Sequence, residues 1–173
     1  MNIRQLVLLL LFACGLVIAP VYAESVDARI RLARLPSTPA KQLQRYVTDK
    51  DERVREALAA NRRAPADVLL KLAKDKSEQI RLTVATNLST PENVFMVLAK
   101  DKSADVRAVV ARFEYVPESV LDILANDRKE EVRLEVAKSF NTSIKTLEKL
   151  TNDKIVEIRM AANQALTRRQ SSQ

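Results

Sequence analysis

The sequence predicts an all-α chain, a solenoid of stacked two-helix repeats, and three observations predict it. A 26-residue period runs through the chain, with four units following one another without insertion or deletion at 49–74, 75–100, 101–126 and 127–152. Within each unit the apolar residues recur at helical spacing, marking one face of a short helix and then one face of a second. Beyond residue 23 the chain has no glycine and no cysteine, so no disulfide helps hold the fold and packing must do it.

The amino terminus reads as a secretory leader. Arg4 lies in a short basic segment, an unbroken apolar run follows from Leu6 to Ala19, and Pro20 and Val21-Tyr22-Ala23 supply a cleavage site, which makes 1–23 a signal peptide. Cleavage near Ala23 places the mature protein in the periplasm or outside the cell. Two alternatives stand beside this one: an uncleaved anchor, and a lipoprotein modified at Cys14 within the lipobox-like Leu11-Phe12-Ala13-Cys14. An apolar run of 14 residues is short for a bilayer span. Removing the leader lowers the formal charge from +7 only by Arg4. The mature chain therefore stays moderately basic, and export makes acidic proteins, anionic envelope polymers or lipid head groups the expected partners in place of nucleic acid.

The solenoid is expected over 24–168, with units near 24–48, 49–74, 75–100, 101–126 and 127–152, a half unit at 153–168, and a disordered tail at 169–173. Counting Asp49 as position one, position six is Val54, Ile80, Val106, Val132 and Ile158. Position ten is Leu58, Val84, Val110, Val136 and Ala162, so both positions fall on one helical face. Asp at position one with Glu at position four, as in Asp49 and Glu52 or Asp75 and Glu78, predicts a capping box at the start of this helix. Asn61 and Asn87 suit its end, because asparagine tolerates a left-handed backbone. Thr38-Pro39, Ala64-Pro65, Thr90-Pro91 and Val116-Pro117 open the second helix, proline being suited to the first helical position. Its apolar stripe is Val68, Leu69, Leu72 and Ala73 in one unit, then Val94, Phe95, Leu98 and Ala99, then Val120, Leu121, Leu124 and Ala125. Helices of about ten residues are unstable alone, so stacking must supply the stability.

The pattern D-x-x-x-x-[VI]-R followed by T-P-E, clearest in Asp75-Lys76-Ser77-Glu78-Gln79-Ile80-Arg81 and Thr90-Pro91-Glu92, resembles the leucine-rich repeat variant family. The resemblance implies a right-handed superhelix of paired helices, akin to HEAT and armadillo arrays. Some members carry an amino-terminal cysteine cluster that binds iron and sulfur; this chain lacks those cysteines, so no cofactor is expected. The resemblance specifies a fold and leaves function open.

Composition also removes most catalytic chemistry. With no histidine there is no Ser-His-Asp triad and no histidine acid or base. Beyond the leader there is neither a thiol nucleophile nor a Cys/His metal site, nor the glycines of a phosphate-binding loop. Paired carboxylates are the remaining route, and their repeat-locked positions read as caps and surface charge. No catalytic, cofactor or metal residue is expected, and the chain is read as a non-enzymatic scaffold or adaptor for another protein.

Three sets of residues stand out as candidates. The position-seven arginines, Arg29, Arg55, Arg81, Arg107, Arg133 and Arg159, read as a structural ladder with Asp49, Asp75, Asp101, Asp127 and Asp153 of their own or a neighbouring unit. The position-two cations Lys50, Lys76, Lys102, Arg128 and Lys154 form a basic stripe that suits an anionic polymer or membrane surface. Phe113 and Tyr115 replace the asparagine-rich turn of the two preceding units and mark a candidate partner contact, with Phe140 near them.

Overall fold

The computed structural model describes residues 24–171, and every regular element among them is helical. The expected leader at 1–23, with Cys14, and the last two residues of the expected tail lie outside the described residues. The first helices of successive units are α1 (Val26–Arg34), α3 (Glu52–Ala59), α5 (Glu78–Ala85), α7 (Ala104–Arg112), α9 (Glu130–Lys138) and α11 (Val156–Gln170). The second helices are α2 (Ala40–Tyr46), α4 (Ala66–Leu72), α6 (Glu92–Leu98), α8 (Glu118–Leu124) and α10 (Ile144–Leu150). First helices pack on first helices along the array, while each second helix touches the first helix of its own unit and that of the next. The result is an α-solenoid of two layers.

One continuous core lies between the layers. Val54, Ile80, Val106, Val132 and Ile158 are buried, as are Leu58, Val84, Val110 and Val136 on the same helical face. Val68, Leu69 and Leu72 of α4, and their equivalents in α6 and α8, close the core from the other layer. In the last full unit the stripe is interrupted at Thr146, a buried residue whose hydroxyl donates to Asp122.

The helix starts differ from the expected capping boxes. The N-cap is position three, occupied by Asp51, Ser77, Ser103, Lys129 and Ile155, and the position-four glutamates Glu52, Glu78 and Glu130 are already the first helical residues. The position-one aspartate instead accepts the position-three amide at 2.8–2.9 Å, which closes an Asx-type turn ahead of the helix. Proline likewise sits one residue earlier than expected: Pro39, Pro65, Pro91 and Pro117 are the N-caps of their helices. Beside Pro39 and Pro91, and again ahead of α10, the hydroxyls of Thr38, Thr90 and Thr142 donate at 2.6 Å to Leu32, Val84 and Val136 carbonyls. That bond ties the second helix to the end of the first.

The carboxyl end departs from expectation too. Arg169 and Gln170, expected in a disordered tail, are the last residues of α11, and Arg169 Nη2 donates to the Phe140 carbonyl at 2.6 Å. A tertiary hydrogen bond of this kind orders a segment whose polar composition alone suggested disorder.

Candidate functional site

The arginine–aspartate ladder runs the length of the array, and each rung has two grips. Arg55 Nη1 donates to the Asp49 carbonyl of its own unit at 2.7 Å, while Nε and Nη2 reach Asp75 of the next unit at 2.7 and 3.2 Å. Arg81 does the same to Asp75 and Asp101, Arg107 to Asp101 and Asp127, and Arg133 to Asp127 and Asp153. The first rung, Arg29 to Asp49 at 2.8 Å, is more exposed and takes the Glu24 carbonyl in place of an aspartate carbonyl. Both partners in the four inner rungs are almost fully shielded from water, and the bidentate fork satisfies them.

Burial pushes the carboxyls of Asp75 and Asp127 up, but the arginine hydrogen bonds and the amides of Ser77 and Lys129 outweigh it and hold both below the ordinary value. Asp153 is lowered first by its bond from Arg133. The same bonds hold the arginines Arg55, Arg81, Arg107 and Arg133 more firmly protonated. These ladder residues are thus occupied with one another, whereas Arg159 donates to the Asp153 and Lys154 carbonyls and pairs with no aspartate side chain among the described residues.

Lys50, Lys76, Lys102, Arg128 and Lys154 are all exposed, on the edge where one unit passes into the next. Their neighbouring position-one aspartates are engaged by ladder arginines, so those carboxylates do not neutralise the stripe. Exposed position-four glutamates, Glu52, Glu78 and Glu130, interrupt it.

On the opposite edge lie the turns inside each unit, and here the units differ. Asn61 and Asn87 are buried, and each side-chain amide spans two carbonyls of the preceding unit: Ala33 and Leu35 for Asn61, Ala59 and Asn61 for Asn87, at 2.7 and 3.1 Å in both cases. Their Oδ1 atoms accept the amides of Arg63 and Ser89. This pair of bridges was missed at the level of sequence, although recurrence at one repeat position is a signal for it. Where the third asparagine would stand, Phe113 turns inward and packs on the buried Phe95, with ring centroids 5.8 Å apart. Tyr115 meets Phe113 edge-on at 5.8 Å and is 61% exposed.

Phe140, in the following turn, is 83% exposed, with the Arg168 guanidinium 5.8 Å from its ring centroid. Between Tyr115 and Phe140 opens a groove of about 830 Å³, lined also by Arg112, Glu114, Glu135 and Lys138. Two cations and two carboxylates beside two aromatic rings suit a peptide better than a uniformly charged polymer. The structure brings Tyr115 and Phe140 to this groove, whereas Phe113 supports it from beneath. Among the described residues no three His, Cys, Asp or Glu side chains cluster as a metal site, and no helix is long and apolar enough to cross a membrane.

Neither a family model nor a curated protein matches the chain. Among solved structures, a leucine-rich repeat variant with a novel repetitive structural motif is similar over 95% of this chain at 25% identity, with a TM-score of 0.63. An engineered protein aligns more loosely, at 19% identity over 84% of this chain and 90% of its own, with a TM-score of 0.40. The chain spans 62% of the length of the repeat variant, and that likeness supports a repeat-protein fold of this kind.

Proposed function

We propose that the protein is an exported, non-enzymatic repeat scaffold that binds another protein along its solenoid, with the groove between Tyr115 and Phe140 as the principal contact. The carrying observation is Phe140, a large aromatic side chain left 83% exposed while Arg169 ties down its carbonyl and Arg168 flanks its ring. Rigid exposed aromatics beside mixed charge are the usual anchors of protein recognition. A photoreactive phenylalanine analogue placed at Phe140 in the native envelope tests this. A discrete protein adduct, lost on Tyr115→Ala, is expected; no adduct, or one indifferent to Tyr115, overturns the groove. Amino-terminal sequencing of the envelope form, expected to begin at Glu24, tests export.

A second reading has one observation in its favour. Because the ladder engages the position-one carboxylates, Lys50, Lys76, Lys102, Arg128 and Lys154 carry charge that those acids do not offset. An electrostatic binder of anionic polymers or lipid head groups would lose affinity steeply with salt and on joint replacement of these residues by alanine. Affinity indifferent to both removes this alternative.

A further inference from the structure

The groove between Tyr115 and Phe140 is not a solitary notch. It lies where the unit 101–126 meets the unit 127–152, lined by positions twelve and fourteen of the first, Arg112 and Glu114, and by positions nine, twelve and fourteen of the second, Glu135, Lys138 and Phe140. A smaller cavity of about 180 Å³ lies two units earlier on the same positions: Ala60 and Arg62, then Thr83, Thr86 and Leu88. The edge of intra-unit turns thus repeats one kind of joint along the array, and the aromatic groove is the wider of these two.

Charge on this edge is one-sided. Positions twelve to fifteen of the units between 24 and 152 carry Arg34, Arg62, Arg63, Arg112 and Lys138 against one acid, Glu114. The four arginines are exposed, and none of them joins an ion pair among the described residues. The acids that follow these turns, Asp67, Glu92 and Glu118, start the second helices, where Asp67 and Glu92 accept from Gln44 and Ser119. These guanidinium groups differ in this from the ladder arginines, whose carboxylates are built in.

Spacing selects the kind of chain that could follow such an edge. Packed helices stand roughly 8–10 Å apart. A polyproline II segment advances about 9 Å in each turn of three residues, so every third side chain meets the same position of the next unit. Arg112 flanks the groove itself, while Arg62 and Arg63 lie two units off, about six residues along such a segment, and Arg34 about nine. Glu114 and Glu135 at the groove disfavour a uniformly anionic polymer there.

We infer that this edge is a track for an extended acidic peptide of the partner protein, whose large apolar residue fills the groove at Tyr115 and Phe140 and whose carboxylates pair with Arg112, Arg62, Arg63 and Arg34. The inference rests on the groove reading of the preceding section and adds the chemistry of the occupant.

The test titrates the mature protein with a labelled peptide of about 19 residues built on a central phenylalanine, with glutamate at every third residue on both sides and proline between, so that either chain direction presents acids to the arginines. Fluorescence anisotropy reports binding. Saturable binding is expected, weakened roughly tenfold or more when the glutamates become glutamine or when the protein carries Arg62→Gln with Arg63→Gln, with little further loss when the two are combined. Arg62 and Arg63 hold their turn through main-chain atoms, the Arg62 carbonyl accepting from Ser89 and the Arg63 amide donating to Asn61, so these replacements leave the turn intact. Joint replacement of Lys50, Lys76 and Lys102 by glutamine should leave binding unchanged; an equal loss there would mean that net charge alone attracts the peptide, and overturns the track. Absence of binding overturns it as well. Binding that needs the central phenylalanine and Phe140 but is indifferent to the glutamates and to Arg62 and Arg63 overturns the track and leaves the groove reading standing. Binding that needs the glutamates but is indifferent to the phenylalanine and to Phe140, and is matched by dextran sulfate, makes the edge a general anion surface and overturns the inference.

Discussion

The two units that turn on asparagine and the two that turn on aromatic residues solve one problem differently. In α3 and α5 the helix stops after eight residues at a C-cap that is not extended, and Asn61 or Asn87 reaches back to carbonyls of the preceding unit. In α7 and α9 the helix runs to nine residues, the C-cap is extended, and Phe113 or Ser139 occupies the asparagine position. The bridging task survives in the last pair but moves two residues on, where Asn141 donates to the carbonyls of Glu114 and Val116 at 2.6 and 3.1 Å. Buried asparagine draws its turn back onto the preceding unit. Moving the bridge outward leaves Tyr115 and Phe140 on the surface with a groove between them.

The largest expected effect comes from cutting the ladder where the two regions join. Asp101→Ala leaves Arg81 buried without its counter-charge and should cost about 3–5 kcal/mol. Urea denaturation measures the loss, and hydrogen exchange should show the asparagine and aromatic halves opening separately. Acid should weaken the same joints. Asp75, Asp127 and Asp153 have folded-state values below the ordinary one, so they stabilise the fold above the unfolded carboxylate range near pH 4, and that support drains away as pH falls through the depressed values. A circular-dichroism acid titration should therefore stay flat down to about pH 4 and then fall, with a shallower fall in Asp75→Asn.

A smaller effect separates the turn types directly. Asn87→Ala strips the donor from two carbonyls at a buried site and should cost about 1–3 kcal/mol. Asn141→Ala should cost less, because Asn141 is exposed and water replaces it. Equal losses in thermal melts would mean that burial does not set the difference between the turns. The least effect on stability is expected for Phe140→Ala, within about 0.5 kcal/mol, despite loss of the envelope adduct proposed above.

The fold was legible because burial follows the 26-residue period at Val54, Ile80, Val106, Val132 and Ile158. The ladder's members were legible as well, but their direction was not. Arg55, Arg81, Arg107 and Arg133 each have an aspartate within reach on both sides, and only the structure divides the work between a main-chain carbonyl of the arginine's own unit and a carboxylate of the next. The capping box failed for a related reason. Asp and Glu at that spacing suit either a box or a turn two residues earlier, and the inter-unit arginine decides for the turn by holding the carboxylate. Asn61 and Asn87 act on partners 26 and 28 residues away, beyond any local capping argument. At the groove, Phe113 and Tyr115 announced a break in the pattern, while the relocated bridge at Asn141 that shapes it carried no local mark.

The shared aspartates also bear on how the array carries load. Asp75, Asp101 and Asp127 each offer a carboxylate to the arginine before them and a carbonyl to the arginine after them, so the clasps stand in series from one end to the other. Tension applied along the axis then falls on every clasp in turn, and the weakest yields first. That is the more hydrated outermost pair, Arg29 with Asp49, so stretching should peel the array from its amino-terminal end.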